Sequence, residues 1–439
     1  MSRKQQVSRR RFFEGSAAAA GCAAVPWLIR SGLLAAPGRP GPNDRIGVAY
    51  IGVGRRGQQL MNLPKDGRIV AVSDIYRRRA DQMAAKLKCP AYYDYRKMLE
   101  AAQVDAVIIA TPDHWHALPS IHACQAGKHV YTEKPLTLTI REGRAMVAAA
   151  RKYQVAFQTG SNRRSMDKHR TGCQLVRAGL IGKVHTVLAA NYPSPWSCGL
   201  PGQPVPAGLD WDVWCGQTEP RPYHIDLFTP RARPGWISFT PYSGGEVSGW
   251  GAHGLDQIQW ALGTDATGPV EIWPECNEPL KPPTYAKPEK VGRGDKLCST
   301  GHRVSYRYAN GVVVNLDDGP PSGGEFYGDL GKVWIDNNEF RCDPPELAAE
   351  PLPTGAPRLA ISDNHFQNWF DCMRSGKRPI ADVEIGHRSA TICHLVNITR
   401  WLGRKLRWDP EKEIFPGDDE ANRYLDRPKR KPYELPKIA

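Results

Sequence analysis

Between Ile46 and Gln158 short apolar runs alternate with longer amphipathic ones. The apolar runs, Ile46 to Ile51, Ile69 to Val72, Val104 to Ala110, His129 to Tyr131 and Val155 to Gln158, read as buried strands. Between two of them, Ala80, Met83, Ala84 and Leu87 recur at spacings of three and four, which predicts a helix over Arg77 to Leu87 with one buried face. Strand, helix, strand in this order predicts an α/β domain with a parallel sheet covered on both faces, spanning 43–165. From about Lys183 the texture changes. Proline-rich stretches separate strand-like runs at Val184 to Tyr192, His302 to Tyr308, Val312 to Leu316 and Lys332 to Asp336, with no long helix between the last three. This pattern predicts a second, α+β domain over 166–402 with a large, mainly antiparallel open sheet. Helices over Asn364 to Met373 and His387 to Leu402 are expected to close it. The remainder, 403–439, mixes basic and acidic residues with prolines and reads as a solvated surface tail.

The first 36 residues stand apart from this pattern. Ser8, Arg9, Arg10, Arg11, Phe12 and Phe13 precede an apolar run from Gly15 to Ile29 that contains Pro26. The segment resembles a bacterial twin-arginine export signal, since the run falls short of the roughly 20 residues a membrane span needs. The resemblance implies a periplasmic or otherwise exported protein, with the twin-arginine translocase as its partner during export. No later stretch is long and apolar enough to span a bilayer. With 41% hydrophobic and 24% charged residues and 13 Trp in 439, the chain is neither disordered nor a small disulfide scaffold. Part of the net charge of +14 sits in the leader, and no basic stripe with interleaved aromatics is present, so nucleic acid is not an expected partner. The 11 cysteines contain no C-x-x-C pair. They read as buried thiols, and no metal site is expected.

Directly after the first strand come Gly52, Val53, Gly54, Arg55, Arg56 and Gly57, a G-x-G-x-x-G opening onto a helix. The first glycine permits the tight turn, the second lets backbone approach a pyrophosphate, and the third lets helix and strand pack closely. The helix start adds N–H donors for the phosphates. Asp74 closes the second strand, where a carboxylate can bond both ribose hydroxyls. A carboxylate there repels a 2′-phosphate and favours NAD, while Arg77, Arg78 and Arg79 leave NADP as the second choice.

Two further groups carry the chemical signal. Thr111, Pro112, Asp113, His114, Trp115 and His116 follow the strand ending at Ala110, and Glu133, Lys134 and Pro135 follow the next one. With the glycine motif, this order resembles the Gfo/Idh/MocA family of glucose-fructose oxidoreductase and inositol dehydrogenase, over about Arg45 to Trp408. The resemblance implies a Rossmann domain followed by an α+β domain, a pyranose or polyol substrate between them, and a homodimer or homotetramer packed through the open sheets. It also implies cofactor contacts at Gly52, Gly54, Arg55, Arg56, Gly57, Asp74, Thr111, Pro112, His116, Glu133 and Lys134. Lys134 would sit beside the nicotinamide and the reacting hydroxyl, holding the substrate oxygen and helping to move its proton. The family's acid/base histidine matches His253, but the aspartate usual four residues upstream is replaced by Gly249. Asp256, three residues on, is expected to orient the imidazole instead. Asn162, Arg163 and Tyr192 are expected to meet the substrate.

The leading expectation is therefore an exported NAD(P)-dependent oxidoreductase acting on the CH–OH group of a small carbohydrate or polyol, with a tightly bound cofactor. The alternative is a redox-neutral, NAD-dependent glycosidase or lyase of the same fold. Export weighs on that choice, because free nicotinamide cofactor is not replenished outside the cytoplasm.

Overall fold

The computed structural model describes residues 45–101, 103–229, 235–286 and 301–438. Residues 1–44, on which the expected twin-arginine signal falls, lie outside them. Six strands come first: β1 Ile46–Ile51, β2 Gly67–Ser73, β3 Ala91–Tyr92, β4 Ala106–Ile109, β5 His129–Thr132 and β6 Phe157–Thr159. They form one all-parallel sheet in the order β3-β2-β1-β4-β5-β6. Strand order reverses between β1 and β4, so a crevice opens beyond their carboxyl ends, where Gly52 and Ala110 begin their loops. The strands read as unbroken apolar runs because helices cover both faces. The helix Arg77–Leu87 falls on its predicted residues and buries Ala80, Met83 and Ala84.

The second sheet has eight strands. Chain order supplies β7 Val184–Ala190, β10 Glu271–Pro274, β12 Val304–Arg307, β13 Val313–Asp317, β14 Gly324–Gly328, β15 Gly331–Asp336, β16 Glu339–Asp343 and β17 Leu406–Arg407. Their spatial order is β16-β15-β14-β7-β13-β12-β10-β17, antiparallel throughout except for the parallel pair β7 and β13. Alternate residues such as Val187, Val314, Phe326 and Val333 point inward onto the helices Asp167–Arg177 and Gly251–Leu262. Three shorter strands, β8 Trp196–Cys198, β9 Phe239–Thr240 and β11 Thr284–Tyr285, make a small parallel sheet. It supports an aromatic cluster of Trp214, Phe239, Tyr242 and Tyr285, against which Ile75 of the first half packs.

Two expectations about the later chain need correction. The helix His365–Ser375 does not close the second half: Trp369 and Phe370 pack with Val48, Tyr50 and Val72 on the parallel sheet, and Trp369 Nε1 donates to the Ala156 carbonyl. Nor is 403–439 a solvated tail. β17 pairs with β10, and Trp408, Phe415 and Leu425 are buried in the second core. Buried Glu413 accepts hydrogen bonds from Arg144 and pairs with His387 Nε2 at 2.6 Å. The helix Val383–Leu402 is buried on nearly every side over most of its length, with Val383 and Ala390 in the first core and Ile392, Leu395 and Val396 in the second. A helix in that position binds the halves together, and Ile46 to Ala439 accordingly form one compact unit. Among the described residues no helix is long and apolar enough to cross a membrane, no group of side chains has the makings of a metal site, and the nine cysteines are free thiols.

Candidate active site

Gly52 leaves β1 with φ +85°, and a Cβ there would come within 2.9 Å of the Ala110 carbonyl oxygen. At Gly57 a Cβ would stand 2.2 Å from Gly52 O. These two glycines are therefore demanded by the fold itself. Gly54 differs, because its Cβ would meet only Arg79 Nη1, at 3.6 Å, and otherwise face the open crevice. That is the position at which a phosphate group needs backbone free of a side chain. The helix that follows, Arg55–Gln59, is only five residues long. Its dipole is correspondingly small, so backbone N–H groups of the loop carry more of the anion-binding capacity than the sequence motif suggests.

Asp74 directly follows β2 and lines this crevice. Its Oδ2 accepts from Val53 N at 3.1 Å and its Oδ1 from Tyr76 N at 2.9 Å, which aims the carboxylate along the glycine loop. Arg79 Nη1 approaches Oδ2 at 3.4 Å. Of the three consecutive arginines, Arg77 stacks on Tyr93, and Arg77 and Arg79 line the crevice.

The loops after β4 and β5 form the next stretch of wall. Thr111 and Pro112 line it, and Thr111 Oγ1 is a buried hydroxyl oxygen without a hydrogen-bond partner in the protein. The two ring nitrogens of His116 lie 2.7 Å from the Pro135 carbonyl and 3.1 Å from the Thr111 carbonyl, tying both loops together. Glu133 Oε1 accepts from Arg56 Nη2 at 2.9 Å, joining β5 to the glycine loop. Lys134 Nζ donates to the carbonyl oxygen of Gly249 at 2.8 Å. Gly249 is the position where the family pattern has an aspartate, so a backbone oxygen contacts the ammonium there.

The opposing wall comes from the second half. Helix Gly251–Leu262 and the turn before it supply His253 and Trp250, whose rings lie 6.1 Å apart. Trp214, Phe228, Trp236 and Tyr433 also line the space, and Asn162 projects from the loop after β6. The cleft encloses about 920 Å³, within the range of small-molecule sites. The open approach to Gly54, the hydroxyl of Thr111 and the aimed carboxylate of Asp74 fit a dinucleotide along the β1–β4 crevice.

Most expected residues meet here, but Gly57 packs against Gly52 outside the cleft lining, and three others do not serve as expected. Asp256 is fully buried, and its carboxylate accepts from Arg164 Nε at 3.0 and 2.9 Å, Arg164 Nη2 at 2.9 Å and Ser389 Oγ at 2.9 Å. It is therefore spent on an internal ion pair rather than on His253. Burial works against the charge of Arg164, yet Asp256 and Asp265 outweigh it and hold the guanidinium protonated. Arg163 lies outside the cleft lining, and its Nη1 donates to the Ser322 carbonyl. Tyr192 is buried in the second core, with its hydroxyl donating to the Pro321 carbonyl at 2.7 Å. Sequence reasoning missed Trp236, Phe228 and Tyr433. Trp214 stands in the run Trp211–Asp212–Val213–Trp214, whose paired aromatics are visible in the sequence, whereas nothing local marks Tyr433.

A doubly wound nucleotide-binding half, joined across a catalytic-type cleft to an open-sheet half, defines a dinucleotide-dependent oxidoreductase architecture. Residues 46–161 match the model described as oxidoreductase family, NAD-binding Rossmann fold, and 174–435 match that of its C-terminal alpha/beta domain. The chain belongs to the Gfo/Idh/MocA oxidoreductase family. It is 33% identical over 156 residues to myo-inositol 2-dehydrogenase of Thermotoga maritima, covering 34% of this chain and 46% of that protein. It is 32% identical over 142 residues to 2,7-anhydro-N-acetylneuraminate hydratase of Mediterraneibacter gnavus, covering 32% and 37%. These matches span less than half the length of either relative. The WlbA dehydrogenase of Bordetella pertussis, solved with NADH and UDP-GlcNAcA, shares the fold with a TM-score of 0.56 at 16% identity, over 83% of this chain and 99% of that one.

Proposed function

We propose that the protein is an exported oxidoreductase that takes hydride from the CH–OH group of a sugar or polyol, with NAD as the preferred cofactor. What carries the reading is a single cleft that Lys134, Asn162 and His253 share with Gly52, Gly54 and Asp74. When bound, the nicotinamide would supply the hydride acceptor. Gly54 and the neighbouring backbone would bind the pyrophosphate, Asp74 the adenosine ribose, and Thr111 and Pro112 the groove between. Hydride cannot leave a carbinol carbon productively unless the hydroxyl proton leaves too. Lys134, anchored at Gly249 O, would hold that hydroxyl and pass its proton on, with His253 as the second acid/base group. Trp236 and Trp250 offer flat apolar faces suited to the C–H side of a sugar ring.

Asp74 supports NAD over NADP, since its carboxylate faces the site a 2′-phosphate would need. The arginine pair in the leader supports delivery to the periplasm by the twin-arginine translocase. The outer face of the eight-stranded sheet, with Trp334, Tyr327 and Leu188 half-exposed, supports a homodimer or homotetramer. A second reading, redox-neutral cleavage or hydration with NAD restored in each turnover, draws on the likeness to the hydratase. One experiment separates them. The purified protein is denatured, released nucleotide is identified by mass, and sugars and glycosides are screened for net NADH against cleaved or hydrated product. An oxidised product, with net NADH or with an added carbonyl compound reduced in its place, supports the oxidoreductase; cleaved or hydrated product with neither supports the second reading, and absence of any nicotinamide nucleotide binding refutes both.

A further inference from the structure

The adenosine end of the cleft is bridged by two segments that the catalytic reading leaves unused. The first is the loop 206–217. Leu209 forms an antiparallel bridge with Tyr76, Gly208 O accepts from Arg77 N at 2.9 Å, and Asp210 N donates to Ile75 O at 3.3 Å. These contacts attach the loop two residues beyond Asp74. Its other end attaches across the crevice, where Trp214 O lies 2.7 Å from His114 Nε2 and accepts from Trp115 Nε1 at 3.0 Å. Two glycines make this docking feasible. Gly208 has φ +79°, and at Gly216, with φ +55°, a Cβ would come within 2.6 Å of the Trp115 ring.

The second segment is the C-terminal strap 427–438, which lies over that loop. Arg430 Nη1 pairs with Asp212 Oδ1 at 2.7 Å, Arg430 Nε donates to Gly216 O at 3.1 Å, and Arg430 N donates to Gln217 O at 2.9 Å. Arg427 Nη2 reaches Gln217 Oε1 at 2.9 Å. Beyond this anchor Tyr433 sets its ring edge-on to Trp115, with centroids 5.4 Å apart, and Leu435 and Ile438 pack onto the core of the parallel sheet. Pro432 and Tyr433 face the cleft beside Asp210 and Trp214. The strap thus starts on the second half, crosses the loop and ends on the first.

We propose that loop 206–217 and strap 427–438 form a clasp over the adenosine end of the cleft, with Tyr433 its cofactor-contacting residue, so that the dinucleotide stays bound through successive turnovers. The proposal rests on the cofactor reading above and adds a structural reason for retention. A dinucleotide lying along the crevice would pass beneath backbone attached on both sides, so release requires the clasp to lift. A retained cofactor has to be restored in place: the hydride and proton taken from one hydroxyl compound are delivered to the carbonyl carbon and oxygen of a second, with no net NADH released.

The test measures nucleotide exchange, not turnover. Full-length protein is loaded with radiolabelled NAD, separated from free label, and chased with excess unlabelled NAD while retained label is followed by filtration. Tyr433→Ala removes the aromatic wall and Arg430→Ala cuts the anchor from outside the cleft, so a folding defect in one leaves the other informative. Each is expected to release label about tenfold faster than the unaltered protein, the effect of losing one aromatic or charged contact. Release from both variants at the unaltered rate would overturn the clasp. Failure of the unaltered protein to retain label while it still binds NAD in an equilibrium titration would overturn the clasp alone, and absence of binding in that titration would overturn the cofactor reading and the clasp with it.

Discussion

Replacing Asp256 with Asn distinguishes a catalytic role for this residue from a structural one. Side chains of Asp256 and Arg164 are each 1% exposed, and three of the hydrogen bonds from Arg164 end on the two carboxylate oxygens. Breaking a buried pair from one side leaves an uncompensated charge and costs about 3–5 kcal/mol. Asp265, 2.7 Å from Arg164 Nη2 but 29% exposed, still compensates part of that charge, so Asp256→Asn should lie near the low end, about 3 kcal/mol. Against a total stability of about 5–15 kcal/mol this is a large fraction. Thermal unfolding followed by circular dichroism should show a fall of several degrees, while kcat, KM and the pH–rate profile of the folded fraction stay near their original values. A double variant, Arg164→Met with Asp256→Leu, should recover much of the loss, because neither charge is then buried. An unchanged melting temperature combined with a lower kcat and a displaced pH profile would refute the argument and return Asp256 to the orientation of His253.

Three further outcomes follow from the site and its surroundings. Lys134→Ala should lower kcat about 10²- to 10⁴-fold on a confirmed substrate while NAD binding, measured by titration, persists; near-normal kcat would make the Glu133–Lys134–Pro135 turn structural. Asp74→Ala should weaken NAD binding and, by freeing Arg79, raise affinity for NADP; an unaltered protein that already prefers NADP would reverse the cofactor choice. Burial pushes His114 and His394 down to about 3 and His169 to about 4. Because these values lie below the unfolded one near 6.5, the unfolded chain binds more protons, and stability falls as pH drops from about 6.5 towards 4. Each histidine should cost about 2 kcal/mol between pH 7 and pH 5, so urea midpoints should fall sharply over that interval, and equal midpoints would contradict the burial of these rings.

The first half was legible because its signals are local. An apolar strand, a glycine turn and a carboxylate at the next strand end constrain one another over some twenty residues, and helix Arg77–Leu87 emerges from side-chain spacing alone. Arg164 and Ser389, the partners of Asp256, lie 92 and 133 positions away along the chain, beyond any periodicity. His253 and Asp256 do share one side of a helix. Yet Asp256 lies a turn deeper, and at full burial a carboxylate is stable only with a charged partner such as Arg164. Helix His365–Ser375 misled for a related reason: its apolar face fits a sheet of either half, and only the packing of Trp369 under Ala156 decides which.

Charge at the cofactor end carries the cofactor argument one step further. Arg55, Arg56, Arg77, Arg79 and Arg96 all line the cleft, alongside five carboxylates, and offer donors suited to a pyrophosphate. Three of the five are paired within the protein: Arg56 with Glu133, Arg79 with Asp74 and Arg96 with Asp94. Those carboxylates are short tethers as well as counter-charges, and the Asp74 tether holds Arg79 on the same oxygen that accepts from Val53 N. An extra phosphate on the ribose would have to draw Arg79 off that oxygen while displacing a ribose hydroxyl from Asp74. A free hydroxyl needs neither change, since Asp74 accepts its proton with the pair intact. The proposed preference for the unphosphorylated dinucleotide therefore rests on the position of one carboxylate, despite three consecutive arginines at its side.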